Sequence, residues 1–211
     1  MEIQTTKALG GIGAILMFIG VIPYISYFGI IELIGLILVM ISLYGLASYY
    51  KETGIFNNAL YGLIIGIVGG VVAAVALFIA VLTSLTDFLY AVFPDWNGDW
   101  TALSGLTPNT SNLTLDTIGP FIAGIVTVLV ILWVFAIVSA FFIRRSFGAL
   151  SAKSGIGYFS IAGLLILIGA ILTIVLIGLL LIWIGFLLLA VAFFSLKPMA
   201  AEPTTPAPQP T

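Results

Sequence analysis

ALGGIGAILMFIGVIPYISYFGIIELIGLILVMISLYGLASYY, residues 8–50, carries a single charged side chain, Glu32. As one helix it would run about 64 Å at 1.5 Å per residue, roughly twice the hydrocarbon core of a bilayer. The stretch must therefore fold back on itself. PYISYFG (23–29) is the place, since Pro and Gly punctuate helices. A first span is expected over Ala8–Tyr24 and a second over Ile30–Tyr50. Lys51 then supplies a basic last turn and Gly54 a glycine stop.

Working outward, a third span is expected over Asn57–Thr83 and a fourth over Thr117–Ile143, ending at Arg144 and Arg145. Gly155–Leu196 holds no charge and is again too long for one helix. It predicts a second hairpin, Ile156–Leu172 and Leu179–Leu196, turning near Thr173–Gly178. The fold class is all-α: a polytopic transmembrane helix bundle of six spans, built around two tight helical hairpins. Residues 1–198 form one transmembrane domain with a loop at 85–116. Residues 199–211 form a Pro-rich tail of disordered composition. ILMFIGVIPYISYFG (15–29) lines up with LLILIGAILTIVLIG (164–178), placing Gly20 on Gly169, Gly29 on Gly178 and Pro23 on Leu172. Duplication and shared aliphatic composition both produce such an echo.

The chain is 62% hydrophobic and 7% charged, against about 25% charged in a soluble domain. Lipid is its main solvent, so the lipid bilayer is its first partner. It has no cysteine and no histidine, which removes disulfides, thiol nucleophiles and the commonest metal ligand. No nucleophile–base pair, cofactor motif or metal set is present, so neither an enzyme nor a cofactor or metal site is expected. No basic block suits nucleic acid.

Lys7, Lys51, Arg144, Arg145, Lys153 and Lys197 all fall on one side of this map, the positive-inside pattern. Both termini are accordingly expected in the cytoplasm, in a multi-pass protein of the cell membrane. The opposite loop has no Lys or Arg. It holds Asp87, Asp95, Asp99 and Asp116, without the dense spacing of a calcium loop. It also holds two sequons, which make Asn109 and Asn112 candidate N-glycosylation acceptors. Tyr24, Tyr27 and Phe28 occupy the place where a signal-peptide cleavage site would need small residues, so the first span is expected to be retained.

Gly62, Gly66, Gly70 and Ala74 recur every four residues on span 3 and predict a small-residue ridge for close helix packing, widened by Gly69 and Ala73. Glu32 is the acidic residue inside a span, about one turn from its outer end. It is a candidate ion or proton site, or an interfacial structural residue. Lys51 and Glu52 with Asn57 and Asn58 make one polar cytoplasmic cluster. Arg144, Arg145 and Lys153 make another. Both suit topology anchoring and anionic headgroups. Trp96 and Trp100 are expected in an outer interfacial belt, Trp133 and Trp183 in the bundle core. Ser84–Asp87 reads as a variant capping box, starting a separate short helix, FLYAVF (88–93), before Pro94.

Three segments, KALGGIGAILMFIG (7–20), ELIGLILVMISLYGLASYYKETGIFNNALYG (32–62) and WIGFLLLAVAFFSL (183–196), together resemble a largely archaeal membrane family, the domain-of-unknown-function group nine-nine-six. LASYYKETGIFNNALYG (46–62) is the most specific piece. The resemblance implies an archaeal cytoplasmic membrane protein and carries no activity with it. The expected function is a structural or accessory subunit of a membrane assembly, with membrane-protein partners or further copies of itself. The alternative is a small transporter or channel with Glu32 on its pathway.

Overall fold

A computed structural model describes residues 2–22, 29–109, 111 and 114–198. Most of the first hairpin turn, Asn112 and the tail at 199–211 lie outside the described residues. Among the described residues six α-helices follow one another: α1 (Ile3–Gly20), α2 (Ile30–Tyr49), α3 (Thr53–Val92), α4 (Leu115–Ser154), α5 (Gly157–Leu172) and α6 (Ile177–Phe194). All six are long and apolar enough to cross a membrane, α5 when taken with the turn that continues it to Val175.

Two of them are far longer than the sequence predicts. α3 and α4 each run for 40 residues, about 60 Å, well beyond a hydrocarbon core of about 30 Å. Ser84–Asp87 is not a cap but lies inside α3, and residues 88–92 continue the same helix. Neither Pro nor Gly interrupts the chain between Gly70 and Pro94, so nothing stops propagation. α4 likewise passes Arg144 and Arg145 and ends at Ser154. There Gly155 takes φ +71°, the left-handed conformation that closes a helix. α1 starts at Ile3, before the apolar run, because Gln4–Lys7 tolerate the helix outside lipid.

The stop after α2 is also displaced. The left-handed residue is Lys51 (φ 51°), not Gly54, which stands in the first turn of α3. The Glu52 amide donates to the Ala47 carbonyl and the Lys51 amide to the Ser48 carbonyl, the paired bonds of a Schellman cap. The Glu52 carboxylate accepts from the Gly54 amide at 3.4 Å and so caps α3. It also pairs with the Lys153 ammonium at 3.4 Å. Lys51→Gly is expected to raise unfolding stability by about 1 kcal/mol, since a side chain in this conformation costs that order. Denaturation in detergent measures it; an unchanged or lowered midpoint contradicts the account.

The contacts divide the chain into two compact units. The first takes Met1–Asn57, Arg145–Leu164 and Trp183–Thr211. Its interior is built where glycine lets backbones meet. A Cβ on Gly13 would stand 2.6 Å from the Gly35 carbonyl oxygen, and the converse holds at Gly35. Gly10 and Gly11 sit against the rings of Phe193 and Phe194. Leu43, Leu46, Ile55, Leu150, Phe159, Leu189 and Phe193 fill the rest. In lipid this burial gains through close packing rather than water release. The buried hydroxyls donate to carbonyls: Ser42 to Thr6 (2.8 Å), Ser146 to Ile55 (2.5 Å) and Thr6 to Glu2 (3.0 Å). Trp183 is half-buried, stacked on Phe18 with ring centroids 4.5 Å apart, and its indole N–H donates to the Phe18 carbonyl.

The second unit takes Asn58–Arg144 and Leu165–Ile182. α3 meets α4 along Gly62, Gly69 and Ala80, which face Ser139, Phe135 and Gly124. The Trp133 indole donates to the Ile171 carbonyl at 3.1 Å. Here Gly169 and Gly178 bring the end of α5 onto the start of α6, and a 3₁₀ turn at Thr173–Val175 joins the two helices. Beyond α3, Trp96 is 4% exposed. It packs between Tyr90 and Trp100 and donates to the Asp99 carbonyl. Trp100 is the exposed member of the pair. The Thr101 hydroxyl and amide both donate to the Asp99 carboxylate and hold it below the usual carboxylate range.

Candidate functional site

Within the second unit, one groove of about 320 Å³ is lined by Gly66, Gly69, Gly70, Ala136, Ser139 and Ala140, among others. Its walls come from residue choice on two helices. On α3 the residues that pack inward are Gly62, Gly69 and Ala73, all buried, while Gly66, Gly70 and Ala74 are exposed. A Cβ on Gly62 would stand 3.0 Å from the Ser139 carbonyl oxygen, and one on Gly69 2.4 Å from the Phe135 Cβ. Gly66 has the Ser139 hydroxyl at 3.5 Å, and Gly70 has nothing within 4 Å.

The expected ridge of Gly62, Gly66, Gly70 and Ala74 is thus split between two faces. A strict four-residue step gains about 40° per step on a helix of 3.6 residues per turn. Over three steps Ala74 has rotated about 120° from Gly62. Steps of seven and four, through Gly69 to Ala73, stay in line with Gly62. Gly70 remains on the groove's wall but makes no contact of its own.

The other wall was missed from sequence. Ala136, Ser139 and Ala140 are small residues at i, i+3 and i+4 of α4, and the rule applied to α3 would have found them. The Ser139 hydroxyl donates to the Gly62 carbonyl at 2.7 Å, leaving methyl, methylene and backbone CH groups to line most of the groove. Chemically, such a surface accepts an apolar shape and offers no group for proton or electron transfer.

Glu32 lies elsewhere, in the first unit and the first turn of α2, where the helix dipole favours a carboxylate. Its Cγ and Cδ lie over Gly20 at the end of α1, within 2.6 Å of where a Cβ would be. Below it, the Gly13–Gly35 contact brings the α1 and α2 backbones together. The Asn109 side-chain oxygen accepts from the Ser111 amide and hydroxyl in an exposed Asx turn. Lys51 and Glu52 stand at the α2–α3 cap already described, and among the described residues no three acidic side chains cluster as metal ligands.

Six apolar helices packed through glycine contacts define a multi-pass helical integral membrane protein. The chain belongs to the family described as "Protein of unknown function (DUF996)", which residues 31–187 match. It is similar to "Uncharacterized protein MJ1644" of Methanocaldococcus jannaschii, 26% identical over 93% of this chain and 94% of that one. No solved structure matches.

Proposed function

We propose that this protein works without catalysis, as a structural or accessory subunit of a cell-membrane assembly, with both termini in the cytoplasm. The observation that supports this is the groove on the second unit. Exposed Gly66, Gly70 and Ala136 present backbone to whatever lies beside them, and small residues are what membrane helices use to approach closely. A second transmembrane helix fits that surface better than a polar solute does. The orientation follows from the six basic residues, which the expected topology places on one side.

Gly70→Leu tests it, because the substituted position has no neighbour within 4 Å in the chain itself. The gently extracted parent is expected to have a native mass above the 22.4 kDa chain. In Gly70→Leu that mass should fall to a single chain, with folding retained. A parent already at single-chain mass, or a Gly70→Leu variant that keeps the full complex, rules the reading out. The transporter alternative is examined in the same preparation. Reconstituted parent protein that carried an ion flux abolished by Glu32→Gln would replace the subunit reading.

A further inference from the structure

A second groove, independent of the proposed assembly surface, lies wholly within the first unit. It holds about 680 Å³ and is lined by the first residues of α5 with Ser154–Ile156, by the end of α6 through Lys197, and by Lys7 of α1. Two cations from opposite ends of the chain therefore share one groove. No carboxylate lines it among the described residues.

The Lys7 ammonium donates to the Leu196 carbonyl at 3.1 Å. That bond holds the charge at the groove and uses one of its three donors. Lys197 is exposed on the same rim. Gly155, in the loop entering α5, and Gly157, the first residue of α5, bring no side chain to the groove, and a Cβ added at either would meet nothing within 4 Å, so this end of the groove is open. About one helical turn further along α5, the lining becomes apolar. Ile161 is 48% exposed, and Phe194 of α6 is 42% exposed beside it.

Cationic at the helix ends and apolar one turn deeper, the groove matches a molecule built the same way. We propose that it binds an anionic phospholipid, the phosphate between Lys7 and Lys197 and a hydrocarbon tail along Ile161 and Phe194. Free phosphate satisfies the lysines but has no use for the apolar half. A zwitterionic lipid supplies the chain but neutralises its own phosphate.

Native mass spectrometry of the detergent-solubilised protein with added phosphatidylglycerol or phosphatidylcholine tests the assignment. The parent should retain phosphatidylglycerol in preference to phosphatidylcholine. Binding should weaken about fivefold per lysine removed, from a contribution of about 1 kcal/mol each. Lys197→Gln alone should show the first step; its side chain is exposed, so folding is not at stake. Lys7→Gln/Lys197→Gln should show both. Arg144→Gln, whose side chain does not line the groove, removes a general headgroup contact at most and should weaken binding by less than Lys197→Gln does. The proposal fails if Lys197→Gln binds phosphatidylglycerol as the parent does. It fails if Arg144→Gln loses as much, which would mean unspecific surface charge. It also fails if millimolar inorganic phosphate displaces the lipid, which would make the occupant a soluble anion.

Discussion

Gly178→Ala is expected to cost about 3 kcal/mol of unfolding free energy, the upper end of the usual range for overpacking. The added carbon would stand 2.0 Å from the Gly169 carbonyl oxygen, 2.3 Å from the Thr173 nitrogen and 2.5 Å from the Leu172 carbonyl carbon. All three are backbone atoms, so no rotamer change relieves the clash. The α5–α6 turn must open instead, and it is held tightly, with Leu176 already in a left-handed conformation at φ 64°. Gly148→Ala is the control. It lies inside α4 with nothing within 4 Å, and replacing a mid-helix glycine should stabilise by about 0.5–1 kcal/mol. Equilibrium unfolding in mixed detergent micelles measures both. Equal midpoints for the two variants would contradict the packing described for the second hairpin.

Gly69→Leu and Gly70→Leu, adjacent in sequence, should behave oppositely in the dissociated chain. The Gly69 side chain would be driven into Phe135, whose Cβ cannot rotate away, and the variant should lose about 1–3 kcal/mol. The Gly70 side chain would enter open space, leaving only the mid-helix gain of about 0.5–1 kcal/mol over glycine. A larger loss at Gly70 than at Gly69 would mean that α3 is rotated about its axis relative to the packing described here. Because the two positions differ by about 100° on the helix, the comparison reads that rotation directly.

The same pair of residues shows where sequence reasoning stopped. A run of small residues on span 3 is legible without coordinates, and so is its purpose. Which of two adjacent glycines touches a neighbour is not, because span 3 is apolar on every side and has no polar face to mark its orientation. At Lys51 the limitation was different. Gly54 looks like the stop that glycine usually provides, yet the chain turns three residues earlier. The Glu52 carboxylate caps α3 there and is seated against Lys153, far away in sequence. The groove between Lys7 and Lys197 was equally hidden, since 189 residues separate Lys7 from the Leu196 carbonyl that anchors it.

Sequence alone determined that this protein lives in lipid, that it crosses six times and that two of its apolar blocks must turn back. These follow from hydrophobic length against bilayer thickness, a one-dimensional comparison. Only the tertiary structure decided how far α3 and α4 run, which glycines carry helix contacts and which basic residues share a groove. In a hydrocarbon solvent the hydrophobic effect does not choose among the faces of an apolar helix. That choice is left to close fit, at Gly13 against Gly35, Gly69 against Phe135 and Gly169 against Gly178, and fit is a property of residues distant in the chain.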